Sequence, residues 1–436
     1  MEKSLRYVFL AFVGLAFALA LLAGLFTDLE HEWPIITILL FLGCLDLLRE
    51  TTFIAGYFLD RLQKYYFDLT EAVPDDYPLV SIIMPAFNEE ICIGEALTHM
   101  YKINYPRFEI IFVDDGSSDK TLAIAHETAA YFPNVPTIVV SQPNLGKSVA
   151  LNNGIAHANG DFVLCVDADS KIHADTLRAG LKYFNDPAVA AVGGFVYIGN
   201  KCNWITWFQH LEYLLNIQFF RRTLSLYGMV TVVPGPIGLF RKSAILDAGG
   251  YVTDHRSFAE DAELTMRMLA KGWKIKSDDK MIAVTEAPET LPTLLRQRYR
   301  WVRGMYQATW ANVGEIMKRG PKGKLLIFHL VWDTTVAPIV SFMITLLFLG
   351  SLIRTGEGRF FHLWVAFSLC IELVKTLLIV TTPGQLAMGL VTLVPRRLFF
   401  TYVIQTWSLL CLLDEWLDRH MSWDKLDRKG HMGRVS

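Results

Sequence analysis

The chain has 436 residues, of which 52% are hydrophobic and 19% charged, with a formal net charge of -2. Soluble domains sit nearer a quarter charged, so part of the chain is expected in lipid, and the lack of a basic excess excludes nucleic acid as a partner. Six scattered cysteines (Cys44, Cys92, Cys165, Cys202, Cys370 and Cys411) form no C-x-x-C pair, which excludes a zinc site or disulfide framework and predicts buried free thiols.

In chain order, the first element is the uninterrupted apolar run from Tyr7 to Phe26, long enough for a bilayer-spanning helix. A signal peptide is the alternative, but no A-x-A-like site follows before the acidic stretch from Asp28 to Glu32. A second segment begins near Pro34 and runs through Leu48, with Asp46, Arg49 and Glu50 near its end. Lys3 and Arg6 precede the first span, and Arg61 and Lys64 follow the second. The positive-inside rule therefore places the N-terminus and everything after Arg61 in the cytosol.

From Tyr77 to Lys318 the pattern is that of a soluble α/β domain. Short apolar runs (Leu79 to Pro85, Glu109 to Asp114, Pro136 to Ser141, Asp161 to Asp167) alternate with helical stretches such as Asp119 to Tyr131 and Gly146 to Ala158. That alternation predicts parallel strands joined by helices, with ligands beyond the carboxyl ends of the strands.

The polar residues fall at those ends. Asp114-Asp115-Gly116-Ser117-Ser118-Asp119 follows an apolar run. Its carboxylates can accept hydrogen bonds from a base or ribose, and a capping turn is the plain alternative. Asn144-Leu145-Gly146-Lys147-Ser148 opens a helix, a place suited to phosphate, without the glycine spacing of a Walker A loop. Asp167-Ala168-Asp169 ends the run from Val163. Residues two apart on an extended chain point the same way, so two carboxylates converge and a hard divalent cation would relieve their repulsion. A strand-end turn is the alternative. Glu260 and Asp261, after Phe258 and Ala259, start a helical stretch; they either favour the helix dipole or supply a general base. Gln297, Arg300 and Trp301 lie at i, i+3 and i+4 on one helical face, where arginine can stabilise a leaving diphosphate and tryptophan can floor a sugar site. A juxtamembrane basic-aromatic helix is the alternative.

After Lys318 the chain turns apolar. Leu325 to Ile353 suits an interfacial helix and a span. Phe361 to Val380 is another candidate, with Glu372 and Lys375 expected to face other helices or water. Leu398 to Leu413 crosses or lies on the membrane, and the basic tail from Arg419 to Arg434 favours a cytosolic end. Four spans result.

Taken as an ordered set, Pro85-Ala86-Phe87-Asn88-Glu89-Glu90, Asp114-Asp115-Gly116-Ser117, Asn144-Leu145-Gly146-Lys147, Asp167-Ala168-Asp169, Glu260-Asp261 and Gln297-x-x-Arg300-Trp301 resemble the processive, membrane-bound family 2 glycosyltransferases. These include cellulose, hyaluronan and chitin synthases; the bacterial poly-N-acetylglucosamine synthases are most similar. The likeness covers about Tyr77 to Ala311, and Glu286-Ala287-Pro288 and Trp423-Asp424-Lys425-Leu426 add to it. A β-barrel regulatory domain of the cellulose-synthase kind is not expected, which weakens that reading.

The resemblance implies a GT-A (Rossmann-like) α/β domain over residues 77–318. It would lie between two N-terminal transmembrane helices (1–66) and C-terminal interfacial and transmembrane helices (319–418), with a basic cytosolic tail (419–436). It also implies roles. Pro85, Ala86, Glu89, Asp114 and Asp115 would hold the nucleoside, with Lys147 near the nucleotide. Asp167 would touch the nucleotide-sugar, and Asp169 would ligate Mg2+ or Mn2+. Asp261 would be the catalytic base beside Glu260. Gln297, Arg300 and Trp301 would bind the diphosphate and floor the acceptor pocket, and the loop from Val233 to Gly238 would face the acceptor. The expected reaction adds a sugar, N-acetylglucosamine by likeness, from a UDP-sugar to a β-linked polysaccharide. A glycolipid-forming transferase or a hyaluronan, chitin or cellulose type of synthase is the alternative. Expected partners are donor, acceptor, membrane lipid and a small accessory or export subunit, at a bacterial cytoplasmic membrane.

Overall fold

The computed structural model describes residues 33–70, 77–253, 259–356, 358–380 and 382–419. The expected first span, Phe258 and all but the first residue of the basic tail lie outside them. The chain forms two compact units: Gly56–Gln297 with Gln307–Ile327, and 33–55 with Arg298–Tyr306 and 328–419.

The first unit is built on eight strands: β1 (Val80–Ala86), β2 (Phe108–Asp114), β3 (Thr137–Ser141), β4 (Phe162–Cys165), β5 (Ser170–Ile172), β6 (Val189–Ile198), β7 (Gly238–Arg241) and β8 (Lys274–Thr285). They form one sheet in the order β3-β2-β1-β4-β7-β6-β8-β5. β1, β2, β3 and β4 pair in parallel. Strand β7 then runs antiparallel to both β4 and β6, and β6 pairs in parallel with β8. The reversal at β7 leaves β1, β2, β4, β6 and β8 pointing the same way, so their carboxyl ends share one edge. Helices cover both faces of such a sheet, so its strands read as continuous apolar runs; Ile82, Ile83, Met84, Ile110, Phe112 and Leu164 are fully buried.

Trp33–Thr70 is one helix of 38 residues, where the sequence suggested a segment closing near Leu48. Neither proline nor a turn sequence interrupts it, and Gly43 and Gly56 are tolerated inside a helix. Its C-terminal part is anchored in the first unit. Gly56 lies against Thr223 so closely that a Cβ would fall 2.2 Å from Oγ1. Asp60 accepts a hydrogen bond from Arg222 at 3.0 Å. Arg222 also pairs with Asp279, and Lys64 reaches Asp279 at 3.3 Å. The phenol of Tyr183 donates to Asp278 at 2.7 Å. These charges are buried or half-buried, which is tolerable because each has a partner.

In the second unit Val340, Ile344 and Leu347 form a small apolar core. The ionisable residues expected to face other helices do so: Lys375 pairs with Glu50, and Arg396 with Glu372. Arg303 reaches Glu415 at 2.7 Å, and Arg49 reaches Asp333 at 2.6 Å. Among the described residues, Pro321–Arg354 is the one helix long and apolar enough to cross a membrane. Pro383–Val391 and Leu393–Trp416, bent by 59° at their junction, make a second if counted as one span. Among the described residues Cys92, Cys165, Cys202, Cys370 and Cys411 are free; Cys92, Cys165 and Cys411 are buried, whereas Cys202 and Cys370 are exposed, against the expectation of burial.

Removing one partner of a buried ion pair leaves an uncompensated charge. Arg222→Met leaves Asp60 and Asp279 to share Lys64 alone, and should cost about 3 kcal/mol, the low end for breaking a buried pair. The check is the thermal midpoint of the full chain in detergent, which should fall well below that of Arg61→Met, a neighbouring exposed position.

Candidate active site

The shared edge of strand ends collects most of the residues singled out in the sequence. Pro85 and Ala86 close β1 and are buried. The loop after them is stitched to the loop after β2: the Asn88 amide donates to Ser117 Oγ at 2.9 Å, and the Ser118 amide donates to Asn88 Oδ1 at 2.8 Å. Glu89 is half-buried, with its amide donating to Thr121 Oγ1 at 2.7 Å.

Asp114 and Asp115 are both buried, and both turn toward their own chain. Asp114 accepts from the Ser117 amide at 3.3 Å. Asp115 accepts from Gln142 Nε2 at 2.8 Å, from the Leu145 amide at 3.0 Å and from the Gly146 amide at 2.9 Å. Its carboxylate therefore shapes the loop that delivers Lys147. Gly116 has φ 76°, and a Cβ there would lie 2.7 Å from the Asn144 amide nitrogen, so the close passage of the two loops requires glycine.

Lys147 opens the helix Lys147–His157. Its ammonium lies 2.7 Å from Asp167 Oδ1 and 2.8 Å from Glu260 Oε1. Burial works against that charge, yet the two carboxylates hold the Lys147 pKa well above the usual lysine value. Asp167 is pushed upward from the usual carboxylate value by burial and by neighbouring Asp169, against the pull of Lys147. Asp169 is buried; Ser170 Oγ donates to its Oδ1 at 3.0 Å, and Thr285 Oγ1 lies 3.5 Å away because Ser170 pairs with Thr285 across β5 and β8.

Strand β7 pairs with β4 so that Gly238 faces Cys165. The loop entering β7 thus passes the chain leaving β4, and a Cβ on Gly235 would lie 3.0 Å from Lys147 Nζ and 3.2 Å from Asp167 Oδ2. The same loop grips the helix Glu260–Ala270: the Gly235 amide donates to Asp261 Oδ2 at 3.2 Å, and the Val233 amide to Thr265 Oγ1 at 3.1 Å. Asp261 Oδ1 also accepts from the Ala262 amide at 2.7 Å. Burial, then the adjacent charge of Glu260, raise the Asp261 pKa to about 6 against the pull of Lys147 and these amides.

Lys147, Asp167, Gly235, Glu260 and Asp261 therefore stand in direct succession. Gln297 is buried in the same unit, while Arg300 and Trp301 fall in the second unit; there the Arg298 guanidinium lies over the Trp301 ring, 4.7 Å from its centroid. Two contributors escaped the sequence reading. Arg221, at the end of the widened π turn Tyr213–Arg221, donates to the Gly194 carbonyl at 3.1 Å. Burial lowers its pKa to about 10, with Asp261 opposing. Tyr251, buried, donates to Cys165 Sγ at 3.6 Å. Neither carries a spacing or a motif.

Asp167 and Asp169 fit Mg2+ or Mn2+: both are hard oxygen donors, their mutual repulsion favours a cation, and such ions fill most of their shell with phosphate and water. Among the described residues no group of three or more His, Cys, Asp or Glu converges as a complete cage.

A mixed sheet with this strand order, lined at one edge by carboxylates and a helix-opening lysine, is a GT-A fold. Residues 81–248 match the model for glycosyl transferase family 2. The chain is 31% identical over 277 residues to the poly-beta-1,6-N-acetyl-D-glucosamine synthase of Staphylococcus aureus, covering 63% of this chain and 65% of that one. It is 30% identical over 279 residues to the synthase of the same name from Staphylococcus epidermidis, covering 64% and 66%. The match thus spans just under two thirds of these relatives' lengths. Among solved structures, a mannosyltransferase from Pyrobaculum calidifontis in complex with GDP-Man and Mn2+ shares the fold, with a TM-score of 0.58 and 20% identity over 85% of this chain and 99% of that chain.

A carboxyl whose folded pKa stands above its unfolded value of 3.8 stabilises the fold below that value. The contribution is lost as pH rises through about 6. Asp261→Asn, neutral throughout, should match the wild-type melting midpoint near pH 4 and exceed it at pH 8. A difference that does not grow with pH would show that the carboxyl is not strained.

Proposed function

We propose that the chain is an inverting, metal-dependent hexosyltransferase that transfers N-acetylglucosamine from a UDP-sugar to the end of a growing β-linked polysaccharide at a membrane. The observation that carries this reading is the contact chain from Lys147 through Asp167 and Glu260 to the loop-held Asp261. It supports a reading in which a cation for a leaving diphosphate and a base for an incoming hydroxyl act at one edge of the sheet. The choice of sugar and of a polymer product follows the names of the relatives. The Pro321–Arg354 helix supports a membrane setting, with the catalytic domain on the cytosolic side.

In this mechanism Asp261 takes the proton of the acceptor hydroxyl. The oxygen attacks the anomeric carbon from the face opposite the leaving group, and the bond from that carbon to the phosphate oxygen breaks with its electron pair going to UDP. An α-linked donor gives a β-linked product. The Gly235 and Ala262 amides fix the direction of the Asp261 carboxylate. The burial that raises its pKa makes it a stronger base than an ordinary aspartate while leaving it ionised at neutral pH. The Lys147 ammonium meets charge developing on the diphosphate. Asp167 and Asp169 would hold the divalent cation, which when bound supplies further neutralisation of the diphosphate. Gln297, in the same unit, would add a diphosphate contact. Pro85, Ala86, Glu89, Asp114 and Asp115 line or build the nucleoside end.

Purified full-length protein in detergent, given Mn2+ and a panel of UDP-sugars, should release UDP with the N-acetylglucosamine donor and form a β-linked polymer. A product carrying a single added sugar would instead mark a glycolipid transferase. Asp261→Asn should lower kcat by about 10²–10⁴-fold with UDP binding retained by calorimetry; equal loss of both would overturn the assignment of the base. The acidic limb of kcat/KM, which reports the free enzyme, should fall near pH 6 and move to lower pH in Glu260→Gln, which removes the neighbouring negative charge.

A further inference from the structure

Lys147 stands in an electrostatically awkward place. It occupies the first position of its helix, where the dipole favours an anion, and it is kept there by two carboxylates, Asp167 at 2.7 Å and Glu260 at 2.8 Å. Gly235 lies over the ammonium so closely that an added Cβ would sit 3.0 Å away. One of those carboxylates belongs to the Asp167–Asp169 pair. A divalent cation on Asp167 and an ammonium 2.7 Å from the same oxygens repel each other, and both draw on the same lone pairs.

A diphosphate changes this balance. It offers acceptor oxygens to the ammonium and suits the amide-lined start of the helix. The flexible four-carbon stem of lysine lets the charge move without moving the backbone. We propose that Lys147 bars a divalent cation from Asp167 until a diphosphate draws the ammonium away, so that cation and nucleotide bind as a pair. This rests on the reading of Asp167 and Asp169 as the cation's ligands and goes beyond it: the lysine makes that site depend on the nucleotide. Because coupling is reciprocal, the cation should tighten the nucleotide by the same factor.

The test is Mn2+ binding to the full chain in detergent, followed by the electron paramagnetic resonance signal of free Mn2+, with and without UDP. In the wild type UDP should tighten Mn2+ by about tenfold or more, within the usual range of coupling. Lys147→Met should bind Mn2+ alone about tenfold more tightly than the wild type, on the same scale, and UDP should tighten it far less. Lys147→Gln should behave alike and serves if the methionine variant misfolds by circular dichroism. Lys147→Arg keeps the charge and should keep the weak binding of Mn2+ alone. Neutral variants that bind Mn2+ alone no better than the wild type would overturn the inference. Asp169→Asn separates the two layers: undiminished Mn2+ binding there would overturn the cation site itself, and the inference with it.

Discussion

Asp167, Asp169, Glu260 and Asp261 bring four carboxylates to one edge of a sheet, and a single ammonium bridges two of them at 2.7 and 2.8 Å. Like charges in partly buried surroundings raise one another's pKa unless a cation intervenes. The fold meets this constraint with Lys147, and the rest of the site is arranged around it. Asp115 bends the chain from Gln142 to Gly146 so that the lysine starts its helix at that spot. Gly235, without a side chain, lets the loop before β7 close over the ammonium while its amide reaches Asp261. The site is therefore tense by construction, as sites of acid–base chemistry tend to be.

Topology explains how residues so far apart in the chain meet. The parallel strands β1, β2 and β4 deliver their loops to the same edge, and the reversed strand β7 carries the loop before it to the exit of β4. The same reversal lets β6 and β8 end on that edge, where Thr285 closes against Asp169. Had β7 run parallel, its preceding loop would have emerged at the far side of the sheet, away from Asp167.

Much of this was legible in the sequence because burial and periodicity are local. The runs at 79–85, 109–114, 136–141 and 161–167 became strands within a residue or two, since a sheet covered on both faces demands continuous apolar residues. The D-x-D spacing and the acids at a helix start pointed to chemistry for the same local reason. What stayed hidden depends on long-range partners. Nothing in Asp114-Asp115-Gly116 says that its carboxylates would be spent on their own chain. Arg221 and Tyr251 carry no spacing signal, and their relation to the site arises from how a π turn and a loop pack. The helix beginning at Trp33 also outran its expected limit, because the charges at Asp46, Arg49 and Glu50 that read as a boundary are paired and so leave the helix uninterrupted.

That helix has a practical meaning for the catalytic fold. Sequence alone suggests that the α/β domain begins near Tyr77. Yet Gly56, Tyr57, Asp60 and Lys64 sit inside the folded body, against Thr223, Phe219, Arg222 and Asp279. A fragment cut at residue 77 would expose Arg222 and the β8 acids to water with half their counterions gone, and would open a seam beside the segment that carries Arg221. The natural limit of a free-standing catalytic body lies some twenty residues earlier than the motifs imply.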